Sequence, residues 1–451
     1  MIILPNTPPI PRSVPLLKTS GLPGLVNSVR LLLCDAASGQ AIKYAGLLED
    51  YLVELFSEAN KRADTPAEVL NFMREAIFVE GTAKPWSGIG ASRPEHRGQS
   101  WYVIDEVETV FTTLALVYMK IAGDAMATMI QIPGSIEDTW KHISGYFKRA
   151  LSFLKYVSAN RIHKDTSLAG LSPAFVSFLQ HLVMASLQLS ILSKSLTTQI
   201  QQASEAFTST KPTSYGLFSR VALFVSDELT ICEKLLSSLP ESSDFAVWPK
   251  YLARTKLYVN AYAGYYLSVE KYHQNAIGEA IGLVNYGIYQ LEQEKSKPSA
   301  ELYETETSDV KELGNSLMKT KLSLKTKLQT KLQASKDKKT AKKIDGLTSV
   351  SVLTKNSVLF FAKYFPANSA LMLDLTNLYH SLIAINAKYT KENLVLKYDT
   401  VPSYAEIVGN SAKYWPSGRQ VPVNVEDWHP VTNLGEEEEG TDGYAGKGAY
   451  Y

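Results

Sequence analysis

The chain has 451 residues, a formal net charge of +1 at pH 7, and is 45% apolar and 20% charged. That is enough apolar sequence for one large core or two ordinary ones, and near-neutrality gives the whole molecule no electrostatic bias toward nucleic acid or acidic lipid. Cys34 and Cys232 are the only cysteines; two thiols make neither a disulfide framework nor a zinc site, and a reducing, cytoplasmic setting is expected.

Residues 1–25 are rich in proline, lack the basic start of a signal peptide, and read as an extended arm. From Val26 apolar residues recur at three- and four-residue spacing, the pattern of an amphipathic helix. TPAEVLNFMREAIF carries a helix start, with Thr65 and Glu68 as a capping box and Pro66 at the first helical position. Residues 80–100 read as a loop. Long helices are expected near 101–130, 136–160, 172–207, 215–239 and 248–294. The most apolar window, Thr112 to Pro133, contains Lys120 and Asp124 and reads as a buried helix rather than a membrane span. Strand-type patterning is confined to short pieces near 392–401 and 419–425. The expected fold class is therefore mainly α with minor extended or β segments, and no repeat at a fixed period is evident. One helical domain is expected over 26–425, followed by a disordered acidic and Gly-Tyr-rich tail over 426–451.

Signs of chemistry are scarce. The seven histidines make no HExxH pair and sit in no nucleophile motif, and there is no P-loop. No catalytic residue, cofactor or metal is assigned. His181 lies within an apolar helix, where a satisfied structural histidine is commoner than a catalyst. Residues 316–343 hold ten lysines against one aspartate, with Leu317, Leu324, Leu328 and Leu332 roughly on one face. Such a helix either packs by its leucines or lies on an anionic surface through Lys319, Lys321, Lys325, Lys327 and Lys331.

The most organised stretch is LSPAFVSFLQHLVMASLQLSILSK, 171–194. Ser172 reads as the N-cap and Pro173 as the first helical residue. Phe175, Phe178, Leu179, Leu182, Val183, Leu187 and Ile191 form a band wider than one face, which marks a helix buried on several sides. The run resembles the central signature of the Bro-domain family, the scaffolds associated with the ESCRT machinery. The family's Ala-Gln-Ala-Gln core reads Ala185-Ser186-Leu187-Gln188 here, with Leu189 replacing an acidic residue. ISGYFKRALSFLKYV and the 251–291 run containing GEAIGL resemble two further family helices. The closing YTKENLVLKYDTVPS and WPSGRQVPVNVEDWHP, with LPNT at residues 4–7, are similar to the branch of that family that acts in fungal ambient-pH signalling.

The resemblance implies an elongated scaffold of long helices, partly packed like TPR repeats, that is not an enzyme. It implies a surface groove for the C-terminal amphipathic helix of the ESCRT-III filament subunit, a helix-in-groove mode. Matched through Lys194, the groove falls on Ile191, Leu217 and Val221, with Leu192 and Phe218 as neighbours. Lys194 and Arg220 would flank it and pair with acidic partner residues. An apolar residue at helical spacing is ordinarily core, so each assignment competes with burial. Arrestin-like or receptor components of the pH-sensing complex are further implied partners. Recruitment is expected from the cytoplasm to plasma-membrane cortical sites or endosomes, through partners rather than a transmembrane segment. Rival readings are a general endosomal-sorting adaptor, a helical enzyme, and a basic-helix binder of membrane or nucleic acid.

Overall fold

In the computed structural model, the residues described are 1–13, 24–36, 40–62, 66–77, 85–87, 101–132, 134, 136–160, 169–204, 214–239, 245–292 and 358–430. The apolar periodicities become α1 (Gly24–Ala36), α2 (Ala41–Arg62), α3 (Pro66–Met73), α4 (Val103–Gln131), α5 (Ile136–Ala159), α6 (Pro173–Ser204), α7 (Tyr215–Ser238), α8 (Trp248–His273), α9 (Ile277–Leu291), α10 (Ala370–Glu392) and α11 (Tyr404–Gly409). From α4 to α9 each helix packs on the next, and α10 returns to lie on α9, α8, α6 and α4. α4 and α6 are long and apolar enough to cross a membrane, but about three-quarters of each apolar window is inside the core (78% and 72%). Ser172 caps α6 as expected, its Oγ accepting from the Phe175 N–H at 3.2 Å. Thr65 and the lysines at 319, 321, 325, 327 and 331 lie outside the described residues.

Three expectations are corrected. The helix expected over 248–294 is two helices. The chain turns at Gln274–Ala276, with Asn275 in the left-handed region at φ 61°, a conformation that asparagine tolerates better than most residues. Residues 392–401 form the end of α10, a π-turn over Asn393–Lys397 and an irregular segment, not a strand. Residues 419–425 are extended but pair with no strand; among the described residues the only β pairings are the isolated bridges Pro11–Trp86 and Ala76–Tyr102.

The extended arm is inserted rather than free. Met1, Ile2 and Leu4 are buried. The Tyr251 hydroxyl accepts from the Ile3 N–H at 3.2 Å, and the Trp248 indole donates to the Pro5 carbonyl at 3.0 Å. The arm's far end meets a buried charge centre. Glu106, fully buried, accepts from Arg30 Nε (2.7 Å), the Tyr51 hydroxyl (3.2 Å) and the indoles of Trp86 and Trp101 (both 2.8 Å). Arg30 also donates to the carbonyls of Arg12 and Pro85. A buried carboxylate is tolerable only when its lone pairs are taken up in this way.

Candidate functional site

α6 and α7 are joined through 205–214 and run side by side. Two contacts fix their register: His181 Nδ1 lies 2.7 Å from Glu228 Oε2, and the Cys232 thiol donates to the Phe178 carbonyl at 3.7 Å. Continuing this antiparallel register brings Ile191 level with Phe218. His181, Met184, Ile191 and Ser195 share the less buried face of α6, with Gln188 on the same face but fully buried, because residues three and four apart share a face. The outer edge of α7 presents Leu217, Arg220, Phe224 and Asp227 for the same reason.

The residues expected in the groove divide between this surface and the core. Ile191 and Phe218 are half-buried, and Leu217 is exposed at 37%. Phe218 leans on the Tyr266 ring at 5.1 Å. Leu192 and Val221 are corrected to core residues, both with no exposed area. Leu192 is turned about 100° from Ile191 around α6, and its backbone carbonyl accepts from the Tyr266 hydroxyl of α8 at 2.9 Å. Val221 shares the face of Leu217 one turn on but belongs to the buried core. Lys194 is already committed. Its ammonium lies 2.7 Å from Glu137 and 4.4 Å from the centre of the Trp140 ring, so it is not a free cation for a partner. Arg220 is exposed, with no ion pair among the described residues.

One border of this patch comes from a distant part of the chain. After Trp415, which packs on Tyr286 at 4.8 Å, residues 416–428 run across α7, α6 and α5 as a strap. Gly418 crosses the α7 backbone so closely that a Cβ there would lie 2.8 Å from the Phe224 nitrogen. Beside it the Arg419 N–H donates to the Arg220 carbonyl at 3.0 Å. Gln188 then does what a neighbouring strand would do: its Nε2 donates to the Val421 carbonyl (2.8 Å) and its Oε1 accepts from the Val421 N–H (2.9 Å). Val421, Val423 and Val425 pack on the core while Pro422, Asn424 and Glu426 face out. The strap ends with Trp428 among Phe56, Phe111, Phe153 and Tyr156, its ring centre 4.7–6.0 Å from theirs. The packed body therefore continues past residue 425. Ile191 lies one turn beyond Gln188, so the strap forms one wall of the patch.

Electrostatically the face is quiet. His181 is held above its ordinary value, first by its hydrogen bond to Glu228. Burial pushes the Cys232 thiol up, away from reactivity. Beneath the patch the fully buried Asp374 accepts from Tyr258, from Tyr262 at 2.6 Å and from Ser193 at 2.7 Å. Burial holds its carboxyl above the usual range. Among the described residues no three His, Cys, Asp or Glu side chains converge as metal ligands.

The sequence matches a family of unknown function (DUF5355) over residues 101–451, more than three-quarters of the chain. The chain belongs to that family. A search of curated proteins found no match. Among solved structures, the chain is similar to ALIX in complex with the SIVmac239 PYKEVTEDL late domain, with a TM-score of 0.54 at 11% identity. That likeness covers 91% of this chain and 44% of the ALIX chain, so the family member spans less than half of that molecule. It is also similar to the ALIX BRO1 domain in its CHMP4C complex, with a TM-score of 0.52 at 12% identity over 95% of this chain and 96% of the other. The fold is that of a Bro1 domain.

Proposed function

We propose that this chain is a non-catalytic adaptor that receives the C-terminal amphipathic helix of the ESCRT-III filament subunit on the patch around Ile191, Leu217 and Phe218. The observation that carries this reading is an apolar surface at the α6–α7 end of a Bro1 fold, at the positions the family resemblance assigns to a groove. The CHMP4C complex of the ALIX BRO1 domain supports the same class of partner. Arg220 is the cation that remains to meet acidic residues of the incoming helix; its exposed setting makes it a guide more than an anchor.

The finer reading is that the chain acts like PalC, the fungal ambient-pH regulator, linking ESCRT-III to arrestin-like or receptor components at plasma-membrane cortical sites. It would act there upstream of a calpain-like protease that processes a transcription factor. What supports this branch is the resemblance of the closing segment, PSGR included, to its sequences. The alternative within the fold is a general adaptor at endosomes. The alternative of another class is a basic-helix membrane binder acting through 316–343.

The test is a titration of the purified chain with the C-terminal helix peptide of the ESCRT-III subunit, with Ile191→Asp and Leu217→Asp beside wild type. Both variants are expected to lose binding; Leu217→Asp, at an exposed site, is expected to melt like wild type, and Ile191→Asp, at a half-buried one, to melt cooperatively at a modestly lower temperature, because an unpaired charge is most costly once the complex covers it. No binding by folded wild type removes the reading.

A further inference from the structure

The C-terminal end of α10 carries an apolar tip that stands exposed and packs into neither core cluster of the described residues. After Glu392 the helix widens into the π-turn Asn393–Lys397 and stops on Tyr398 in the left-handed conformation, φ 58° and ψ 29°. Leu394, Val395, Leu396 and Tyr398 are 66%, 62%, 70% and 76% exposed, and Val401 follows at 38%. Isolated surface leucines are ordinary. Four large apolar side chains among five consecutive exposed residues form a protrusion, and such patches mark interaction sites.

The tip is held rigid. Asn393 is buried, and its amide spans the turn: Nδ2 donates to the Asp399 carbonyl (2.9 Å) and Oδ1 accepts from the Asp399 N–H (2.8 Å). The Tyr398 N–H donates to the Asn393 carbonyl at 2.8 Å. The turn is bolted to the start of α9, where the Asp399 carboxylate accepts from the Gly278 N–H at 3.3 Å. A Cβ on Gly278 would lie 2.3 Å from the Thr400 carbonyl, so the two backbones are in direct contact. The tip's apolar side chains are thus presented at fixed positions, with little further ordering needed on binding.

Charge selects the occupant. Lys391 and Lys397 stand exposed on the tip without an ion pair among the described residues, and Lys388 lies over the Tyr272 ring at 4.7 Å. The two carboxylates of the segment turn inward: Glu392 accepts from the Tyr272 hydroxyl at 2.7 Å, and Asp399 holds Gly278. An apolar point with an aromatic ring, framed by lysines and stripped of outward acids, matches the interface of an anionic bilayer. Leucines and valine would reach the acyl boundary, tyrosine would lie at headgroup level, and lysines would meet the phosphates.

We propose that residues 394–398 insert into the surface of anionic membranes and anchor the protein directly, independently of the groove and of the lysine-rich 316–343 segment. The experiment is co-sedimentation of the full chain with vesicles of phosphatidylcholine alone and of phosphatidylcholine with phosphatidylserine. The variants are Leu394→Ser with Leu396→Ser, Lys391→Gln with Lys397→Gln, and a Lys→Gln series in 316–343; melting curves accompany each. Wild type is expected to bind the anionic vesicles and to weaken with salt. The serine pair is expected to reduce binding about tenfold or more, since each removes several buried CH2 equivalents from the membrane. The glutamine pair on the tip is expected to reduce it several-fold, and both pairs to melt like wild type. The proposal fails if wild type ignores anionic vesicles, if the serine pair binds unchanged, or if only the 316–343 series abolishes binding. It also fails if, without vesicles, wild type self-associates through the tip and the serine pair does not, which would make the surface a contact between copies. The peptide titration of the groove is expected to be unaffected by the serine pair, so the two readings stand or fall separately.

Discussion

Ile191 and Leu192 are neighbours in sequence and differ in everything that matters for substitution. Ile191 is half-buried and keeps part of its surface open, whereas Leu192 has no exposed area. Leu192→Asp or Val221→Asp places an unpaired charge in the core. Each is expected to cost more than about 4 kcal/mol and to abolish cooperative melting, while Ile191→Asp, at a half-buried site, costs clearly less and melts cooperatively; thermal melts followed by circular dichroism separate the two classes. His181 gives a pH signature. Its pKa is raised in the folded state through Glu228, so the pair's stabilisation is complete below the unfolded value of about 6.5 and fades as pH rises through the higher folded value. NMR titration should show the His181 ring titrating above an ordinary histidine, and Glu228→Gln should bring it down. Which of two adjacent apolar residues faced outward was not legible in the sequence. The band in α6 is wider than one face, so periodicity alone leaves the outer edge undefined; the packing partners α7 and α8 decide it.

Most helices were legible because their apolar spacing agrees with the side they bury. α4 to α7 begin and end within about three residues of the expected limits. The turn after α8 was not legible, because it uses neither glycine nor proline at its bend; Asn275 supplies the left-handed residue and the flanking sequence keeps its helical pattern. The strap was half-legible. Valines alternating with polar residues over 421–425 correctly signal an extended chain with one buried face. They do not reveal that the face is buried on helices, with one glutamine 233 residues away supplying the hydrogen bonds of a missing strand. Gln188→Leu removes both bonds and leaves the Val421 N–H and carbonyl unsatisfied. It is expected to cost about 1–3 kcal/mol and, more visibly, to speed hydrogen exchange at residues 418–423. Gly418→Val should do the same by collision with the α7 backbone, while leaving exchange in α4 unchanged.

At the scale of the molecule, two remote ends of the chain close a stack whose other contacts are mostly between successive helices. The arm is threaded between α4 and α8, and it is locked at its far end by the Arg30–Glu106 centre. Glu106→Gln leaves the Arg30 guanidinium buried without its counter-charge. It is expected to lower stability by about 3–5 kcal/mol, read as a fall in denaturation midpoint. Arg30→Met with Glu106→Leu together should be milder than either single change, a double-mutant cycle that isolates the pair. The sequence shows the arm as proline-rich and extended; it does not show that Met1, Ile2 and Leu4 are core, since the residues that hold the arm there, Tyr251 and Trp248, lie far along the chain.

The strap has a mechanical consequence. It lies across the helices rather than along them, and it is fastened at separate points: Trp415 on α9, Gly418 and Arg419 on α7, Val421 on α6, and Trp428 at the α2–α4–α5 edge. A pull on the chain beyond residue 430 would load these fastenings one after another, Trp428 first, as in opening a zip. Peeling of this kind needs less force than shearing them all at once. A molecule tethered by that end would thus yield in small steps, uncovering the α6 edge beside Ile191 while its helical stack stays folded.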